Sequence, residues 1–256
     1  MDKVKSSISA LLITLNEEKN IDAVLENLSF ADEIVVVDSY SSDNTIEKIK
    51  NHKGVKLIQR EFKNYTDQKE FALSQAKHDW ILFLDADERI TPELRDEILE
   101  TTNRADNDVS AYYFLRKFMF ENQVLRFSGW QTDKNYRLFK KSRVHFDKEK
   151  IVHETLIVNG DSGTLKNKLI HYSYSNYEDY KGKMIKYGEM KAQEEFKKGN
   201  KARFYHFLFR PFYKFFNNYI LRLGILDGKK GIIICYLNAL GVYSRYKKLK
   251  QLHNSK

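Results

Sequence analysis

The sequence predicts an α/β protein: a mostly parallel, Rossmann-like sheet flanked by helices, followed by a basic helical C-terminal extension. Three observations carry this. Strand and helix signals alternate through the first hundred residues. The strand candidates there are nearly continuous apolar runs, as strands covered on both faces are. From about Asn176 the pattern turns helical and basic.

Each element has its own signal. Ile8–Thr14 reads as a first strand, and Glu17 to Leu28 has helical spacing through Ile21, Val24, Leu25 and Leu28. Glu33–Asp38 is a second strand, apolar enough to be central. Asp43 to Lys50 reads as a short helix, Val55–Gln59 as a third strand, Asp67 to Ala76 as a helix and Trp80–Leu84 as the fourth strand. Thr91-Pro92-Glu93 opens another helix, with Thr91 as N-cap and Pro92 at the first helical position. Past residue 108 the chain is β-rich and aromatic. Val109 to Phe120, Gln123 to Phe127, Tyr136 to Lys140, Val144 to Phe146 and Leu165 to Tyr172 extend the sheet. Helices are expected over 177–198, 202–219 and 229–250.

Composition narrows the classes. With 42% hydrophobic residues, two prolines and 11 glycines in 256 residues, the chain can build a core and is not a low-complexity polymer. The single cysteine, Cys235, excludes an internal disulfide framework and a multi-cysteine zinc site, and fits a reducing compartment. Ile8 to Leu15 is apolar but short and runs directly into Asn16-Glu17-Glu18, so no secretory leader is expected. No stretch reaches the roughly 18 apolar residues of a spanning helix. The net charge of +9 hides an asymmetry: −8 over residues 1–100, +3 over 101–180 and +14 over 181–256. An acidic front and a basic tail point to an anionic surface as partner, either membrane or nucleic acid.

The most informative segment is Ile81-Leu-Phe-Leu-Asp-Ala-Asp-Glu88, an apolar strand ending in two carboxylates. Hard oxygen ligands at the carboxyl end of a strand suit a divalent cation that also holds a diphosphate. Two other strands end in polar residues, Thr14-Leu-Asn-Glu-Glu18 and Asp38-Ser-Tyr-Ser-Ser-Asp-Asn-Thr45. A nucleotide base needs partners on its edge, which Asp38 and the Thr14–Glu17 turn can supply. Asp85 suits ribose hydroxyls and Asp87 the metal. Each residue also has a plainer reading: Asp38 as a turn residue, Asn16 at a helix entry, Glu17 as a first-turn carboxylate favoured by the helix dipole. There is no Gly-x-Gly-x-x-Gly, which argues against a dinucleotide enzyme.

These motifs resemble glycosyltransferase family 2, of the GT-A fold group. The Thr14–Glu18 turn, Val36-Val-Asp38 with Ser41-Ser-Asp-Asn-Thr45, the Gln68-Lys69 helix near the base and Leu84-Asp-Ala-Asp-Glu88 occur in the family's order. The second turn departs from the common form, which has two acidic residues and a glycine where this chain has Asp38, Ser39 and Tyr40. The resemblance implies a catalytic domain over 1–175, with a nucleotide-sugar-binding half at 1–105 and an acceptor half at 106–175, then the helical region 176–256. It also implies Mg2+ or Mn2+ at Asp87, a UDP-sugar donor held by Thr14, Asn16, Glu17, Asp38, Lys69, Asp85 and Arg137, and inversion at the anomeric carbon.

Inversion needs a carboxylate base. Glu154 in Ile151-Val-His-Glu-Thr-Leu156 resembles the base of a His-Glu pair that follows an Arg-Leu-Phe segment, here Tyr136-Arg-Leu-Phe139. Asp133, Asp147 and Glu149 are rivals. His153 can help hold the metal or orient Glu154, or be structural. Arg137 can neutralise diphosphate or cover a strand edge, and Trp130 can stack on an acceptor sugar or fill the core. With the tail included, the chain looks most like bacterial lipopolysaccharide or lipooligosaccharide core β-glucosyltransferases. That implies glucose transfer from UDP-glucose to an inner-core heptose at the cytoplasmic face of the inner membrane; other polysaccharide, lipid-carrier or protein acceptors keep the same chemistry. The apolar run Gly231 to Tyr243, followed by cations, fits an interfacial helix on an anionic membrane, or a helix packed on the domain. The tail has no RNA-binding or zinc signature, so no nucleic-acid partner is expected.

Overall fold

The computed structural model describes residues 6–104, 107–121, 123–129, 134–147, 155–174 and 176–254. The chain divides into two compact units, Met1–Arg116 with Asp133–His171, and Lys117–Thr132 with Tyr172–Lys256.

The first unit opens as an alternating α/β fold. Its elements are β1 (Ile8–Thr14), α1 (Ile21–Asn27), β2 (Glu33–Asp38), α2 (Thr45–Asn51), β3 (Val55–Gln59), α3 (Tyr65–Ser74), β4 (Trp80–Leu84), a two-residue β5 (Glu88–Arg89) and α4 (Pro92–Thr102). Strands β1 to β4 are parallel in the order β3-β2-β1-β4. The sheet continues antiparallel. It takes in β6 (Ala111–Phe120), whose end pairs with β7 (Gln123–Leu125), and β8 (Lys134–Lys140), which lies between β4 and β6. The short strands β9 (Val144–Phe146) and β10 (Leu156–Val158) form a separate antiparallel pair. β11 (Ser162–Thr164) pairs with β6, and β12 (Leu169–Tyr174) pairs with β5.

Side-chain alternation explains why both faces are covered. Ile8, Ala10 and Leu12, with Val36, Leu82 and Leu84, face one core with Val24 and Leu25 of α1, Ile49 of α2 and Leu94 and Ile98 of α4. Leu11, Val35, Val37, Ile81 and Phe83 face a second core with Ala72 and Leu73 of α3 and Phe139 of β8. The expected continuous apolar strands thus serve two helical layers. At the edge, β3 is only partly buried.

Helix entries follow local chemistry. Thr91 Oγ1 accepts from Leu94 N at 3.3 Å with Pro92 inside the first turn, as the sequence predicts. α1 starts at Ile21 and not at Glu17, because residues 17–20 form a turn in which Asn20 N and Ile21 N both donate to Glu17 O. Strands β5, β10 and β11 escape sequence reading because two or three residues carry no periodicity.

In the second unit, the β6–β7 hairpin end accompanies α5 (Tyr177–Lys197), α6 (Phe204–Phe216) and α7 (Gly228–Asn254), with a π-helical turn over Asn217–Leu221 and a 3-10 turn over Gly224–Asp227. The expected helix over 202–219 thus ends its regular α part at Phe216 and changes pitch. Gly188 of α5 and Gly241 of α7 meet backbone to backbone: a Cβ at Gly188 would fall 2.3 Å from Gly241 O. Buried Asp227 ties the hairpin side of this unit, accepting from Arg126 N at 2.9 Å, Phe127 N at 3.1 Å and Ser128 Oγ at 2.8 Å. The Gly231–Tyr243 run expected at a membrane surface has Ile234, Cys235, Leu237, Ala239 and Gly241 buried within the unit. For those residues the helix-packing alternative holds.

Candidate active site

Parallel register assembles the site. Thr14 lies opposite Asp38 at the ends of β1 and β2, and Leu12 lies opposite Leu84 near the ends of β1 and β4. The residues after all three strands therefore leave the sheet on one rim. In open α/β folds ligands bind at that rim.

The first two turns are knitted together by side chains. Asp38, wholly buried, accepts from Thr14 Oγ1 at 2.9 Å, Ser41 N at 2.8 Å and Ser41 Oγ at 2.5 Å. Three of a carboxylate's roughly four acceptor positions are filled, which is the turn role the sequence left open beside a base contact. Asn16 has φ 57°, a left-handed conformation that asparagine tolerates. Its N–H donates to Ser41 Oγ at 2.8 Å and its Oδ1 accepts from Ser42 N at 2.8 Å. Glu17 N donates to Thr45 Oγ1 at 2.7 Å. Tyr40 has φ 60° with its side chain exposed, at the position where the family's common form carries glycine. The backbone there is one that glycine adopts without strain.

Glu17 links this wall to the acidic strand end. Burial raises its pKa, a hydrogen bond from Asn20 opposes the rise, and repulsion from Asp87, Asp43 and Asp85 adds to it. Asp85 behaves oppositely. Burial alone would raise its pKa, but Arg137, then Lys69 and His171, outweigh it and hold the carboxyl well below the usual range. Arg137 extends from β8, next to β4, and is almost wholly buried. Its Nη2 donates to Asp85 Oδ2 and to Glu88 Oε1 at 2.7 Å. Burial would lower the Arg137 pKa, yet Asp85 and Glu88 raise it, so the guanidinium stays charged. The strand-edge reading of Arg137 is corrected by β8 lying inside the sheet, between β4 and β6. The guanidinium neutralises the protein's own carboxylates.

Glu88 completes this network. It is fully buried, accepts from Asp85 N at 3.1 Å and Arg116 Nη1 at 3.5 Å, and so fixes the Asp85 turn. Buried ions of this kind persist only when paired and hydrogen-bonded. Lys69 on α3 is buried with its ammonium 5.6 Å from the Phe83 ring centroid, and its charge reaches Asp85. Gln68 beside it donates to Ser39 Oγ at 3.1 Å and accepts from Arg60 Nη1 at 3.0 Å, bracing the second turn.

Asp87 faces His171 of β12, with Oδ2 and Nε2 3.3 Å apart. A carboxylate oxygen and an imidazole nitrogen fit a divalent cation such as Mn2+; Mg2+ more often takes oxygen alone. Among the described residues no cluster of three or more metal-ligating side chains occurs.

The rim therefore unites Thr14, Asn16, Glu17, Asp38, Lys69, Asp85, Asp87 and Arg137. Glu154, His153 and Trp130, with the rival bases Asp133 and Glu149, lie outside the described residues. Asp147 is described, its N–H donating to Thr155 O at 2.9 Å. Sequence reasoning missed Glu88, Arg116 and His171. The one signal for His171 is its place in a strand; antiparallel register opposite Glu88 delivers it to the site.

Comparison with known proteins identifies the family. Residues 9–158 match the model of Glycosyl transferase family 2. A lipopolysaccharide core biosynthesis glycosyltransferase, LpsC, of Rhizobium meliloti (strain 1021) is 28% identical over 254 residues, covering 94% of each chain. An uncharacterized glycosyltransferase of Rickettsia bellii (strain RML369-C) is 29% identical over 255 residues, covering 96% of this chain and 86% of the relative. Among solved structures, glucosyl-3-phosphoglycerate synthase from Mycobacterium tuberculosis, in complex with Mn2+, UDP and glucosyl-3-phosphoglycerate, aligns with a TM-score of 0.39 at 21% identity. That alignment covers 46% of each chain, so this chain spans less than half of that structure. The family match covers more than half of the chain and takes in the whole acidic rim: the chain belongs to glycosyl transferase family 2 and is a nucleotide-sugar-dependent glycosyltransferase.

Proposed function

We propose that the protein transfers glucose from UDP-glucose, with inversion and a divalent cation, to an inner-core heptose of lipopolysaccharide or lipooligosaccharide at the cytoplasmic face of the inner membrane. The observation that carries this reading is the Asp87–His171 pair at 3.3 Å beside the charge-locked Asp85, on the rim where β1, β2 and β4 end. The acceptor class is supported by similarity to LpsC over 94% of both chains.

In this mechanism the Thr14–Glu17 and Asp38–Thr45 turns form the wall against the base, and Asp85 receives the ribose hydroxyls. Arg137 holds the Asp85 carboxylate ionised, and Glu88, accepting from Asp85 N and Arg137 Nη2, fixes both in one orientation, so Asp85 accepts hydrogen bonds without reorganising. Asp87 and His171 would hold the cation, which when bound neutralises the diphosphate leaving group. Lys69 adds fixed positive charge at the same rim. Glu154 takes the proton from the acceptor hydroxyl as general base.

Calorimetry with a panel of nucleotide sugars, with and without manganese, tests the donor. UDP-glucose is expected to bind in a manganese-dependent way. Tighter binding of another nucleotide sugar would replace the donor, and cation-independent binding would remove the metal role. Glu154→Gln is expected to bind donor normally and lose transfer to a purified core acceptor; normal turnover would move the base elsewhere.

A further inference from the structure

We propose that α6 and the turns after it form a lipid-docking face that lies in the head-group region of an anionic bilayer. The inference deepens the membrane-surface part of the proposed function and relocates it within the second unit, away from α7.

Phe204, Tyr205, Leu208, Phe209, Phe212, Tyr213 and Phe216 of α6 are all exposed, with Phe204 at 86%, Leu208 at 68% and Phe212 at 65%. Their spacing puts them on one side of the helix, in the rows i, i+4, i+8. Phe207 lies on the other side and packs with the buried Tyr246 and Leu249 of α7. Beyond α6 the chain keeps exposing apolar side chains, at Ile220, Leu221, Leu223, Ile225 and Leu226. Isolated exposed apolar residues are ordinary, but a continuous aromatic and aliphatic surface marks an interaction site.

Charge selects the occupant. The segment from Lys197 to Leu226 is rich in Lys and Arg and has no Asp or Glu. Arg210 and Lys214 lie on the polar side of α6, opposite the apolar stripe, and Arg222 stands in the turn beyond it. An apolar aromatic side backed by a cationic one suits a helix lying in a bilayer interface, with acyl chains under one side and head-group phosphates beside the other. A two-fold contact with a second copy would bring two such cation-rich segments together. No described helix is long and apolar enough to cross a membrane, so the face lies on the bilayer and does not span it.

The test is co-sedimentation of the full chain with sucrose-loaded vesicles of phosphatidylcholine alone or mixed with phosphatidylglycerol. The vesicles carry no saccharide acceptor, so failure here leaves the transferase reading to the donor calorimetry. The full chain is expected to bind the mixed vesicles. The triple variant Leu208→Gln, Phe209→Gln, Phe212→Gln is expected to lose about tenfold or more in partitioning. Lys247→Gln, Lys248→Gln, Lys250→Gln on α7 should retain most of it. Should the α6 variant misfold by circular dichroism, Phe212→Trp supplies the readout: its added fluorescence over wild type is expected to be quenched by brominated lipid. The proposal is overturned by absence of binding to anionic vesicles, by equal binding of the α6 variant, by added fluorescence in the Phe212→Trp protein that brominated lipid leaves unquenched, or by light scattering that finds a dimer dissociated by the α6 substitutions.

Discussion

Replacing Asp87 with alanine removes the carboxylate that faces His171 without touching the strand behind it. Manganese-dependent UDP binding is expected to vanish while the melting temperature of the ligand-free protein stays near wild type; full retention of binding in calorimetry would refute the metal role. Arg137 poses the opposite case. Arg137→Met leaves Glu88 buried with Arg116 as its remaining cation, at 3.5 Å. Losing one partner of a buried pair costs about 3–5 kcal/mol. A denaturant melt should read that loss, and adding Glu88→Gln should recover part of it. The two residues illustrate what single positions reveal. Asp87 was legible because its acidic strand end comes third in a series of polar strand ends, after 14–18 and 38–45; two carboxylates after a strand are by themselves common. The partners of Arg137 were not, since nothing in the spacing of 85, 88, 116 and 137 says that they meet.

At the scale of elements, β1 and β2 are joined at both ends by polar side chains. The carboxyl ends share the Thr14–Asp38 bond at 2.9 Å. At the amino ends buried Glu33 accepts from Ser9 Oγ at 2.6 Å and Lys77 N at 2.8 Å. Burial works to raise the Glu33 pKa, but the Ser9 and Lys77 hydrogen bonds outweigh it and the net shift is downward. A carboxyl whose folded pKa is depressed stabilises the fold above its unfolded pKa, and that contribution disappears as pH falls through the folded value. Glu33→Gln should therefore lower the melting temperature at neutral pH, by the equivalent of about 1–3 kcal/mol. The gap to wild type should narrow below the ordinary glutamate range, as thermal melts across pH would read; a constant gap would refute the linkage. The strands themselves, and the Thr91 cap of α4, follow from local pattern. The turn at residues 17–20 and the pitch change after Phe216 follow from hydrogen bonds that periodicity does not encode.

For the whole molecule, a ligand that binds only the folded state stabilises it by mass action, about 2.7 kcal/mol at one hundred times its dissociation constant. UDP with manganese should raise the melting temperature of the wild type and leave Asp87→Ala unmoved, a comparison that differential scanning fluorimetry makes directly. Deleting 229–256 would be a poor probe of lipid binding, because Ile234, Leu237 and Leu249 belong to the buried clusters of the second unit. By itself the sequence determined the α/β class, the four parallel strands, the acidic strand end and the family, since apolar periodicity and strand-end motifs are local properties of the chain. Only the tertiary structure decided that Glu88 and Arg137 lock Asp85, that His171 reaches Asp87, and that Ile234, Cys235, Leu237 and Ala239 of α7 are buried while the aromatic side of α6 is exposed. Those outcomes depend on register between strands and on which helix face finds a partner, and both are settled by contacts between residues distant in sequence.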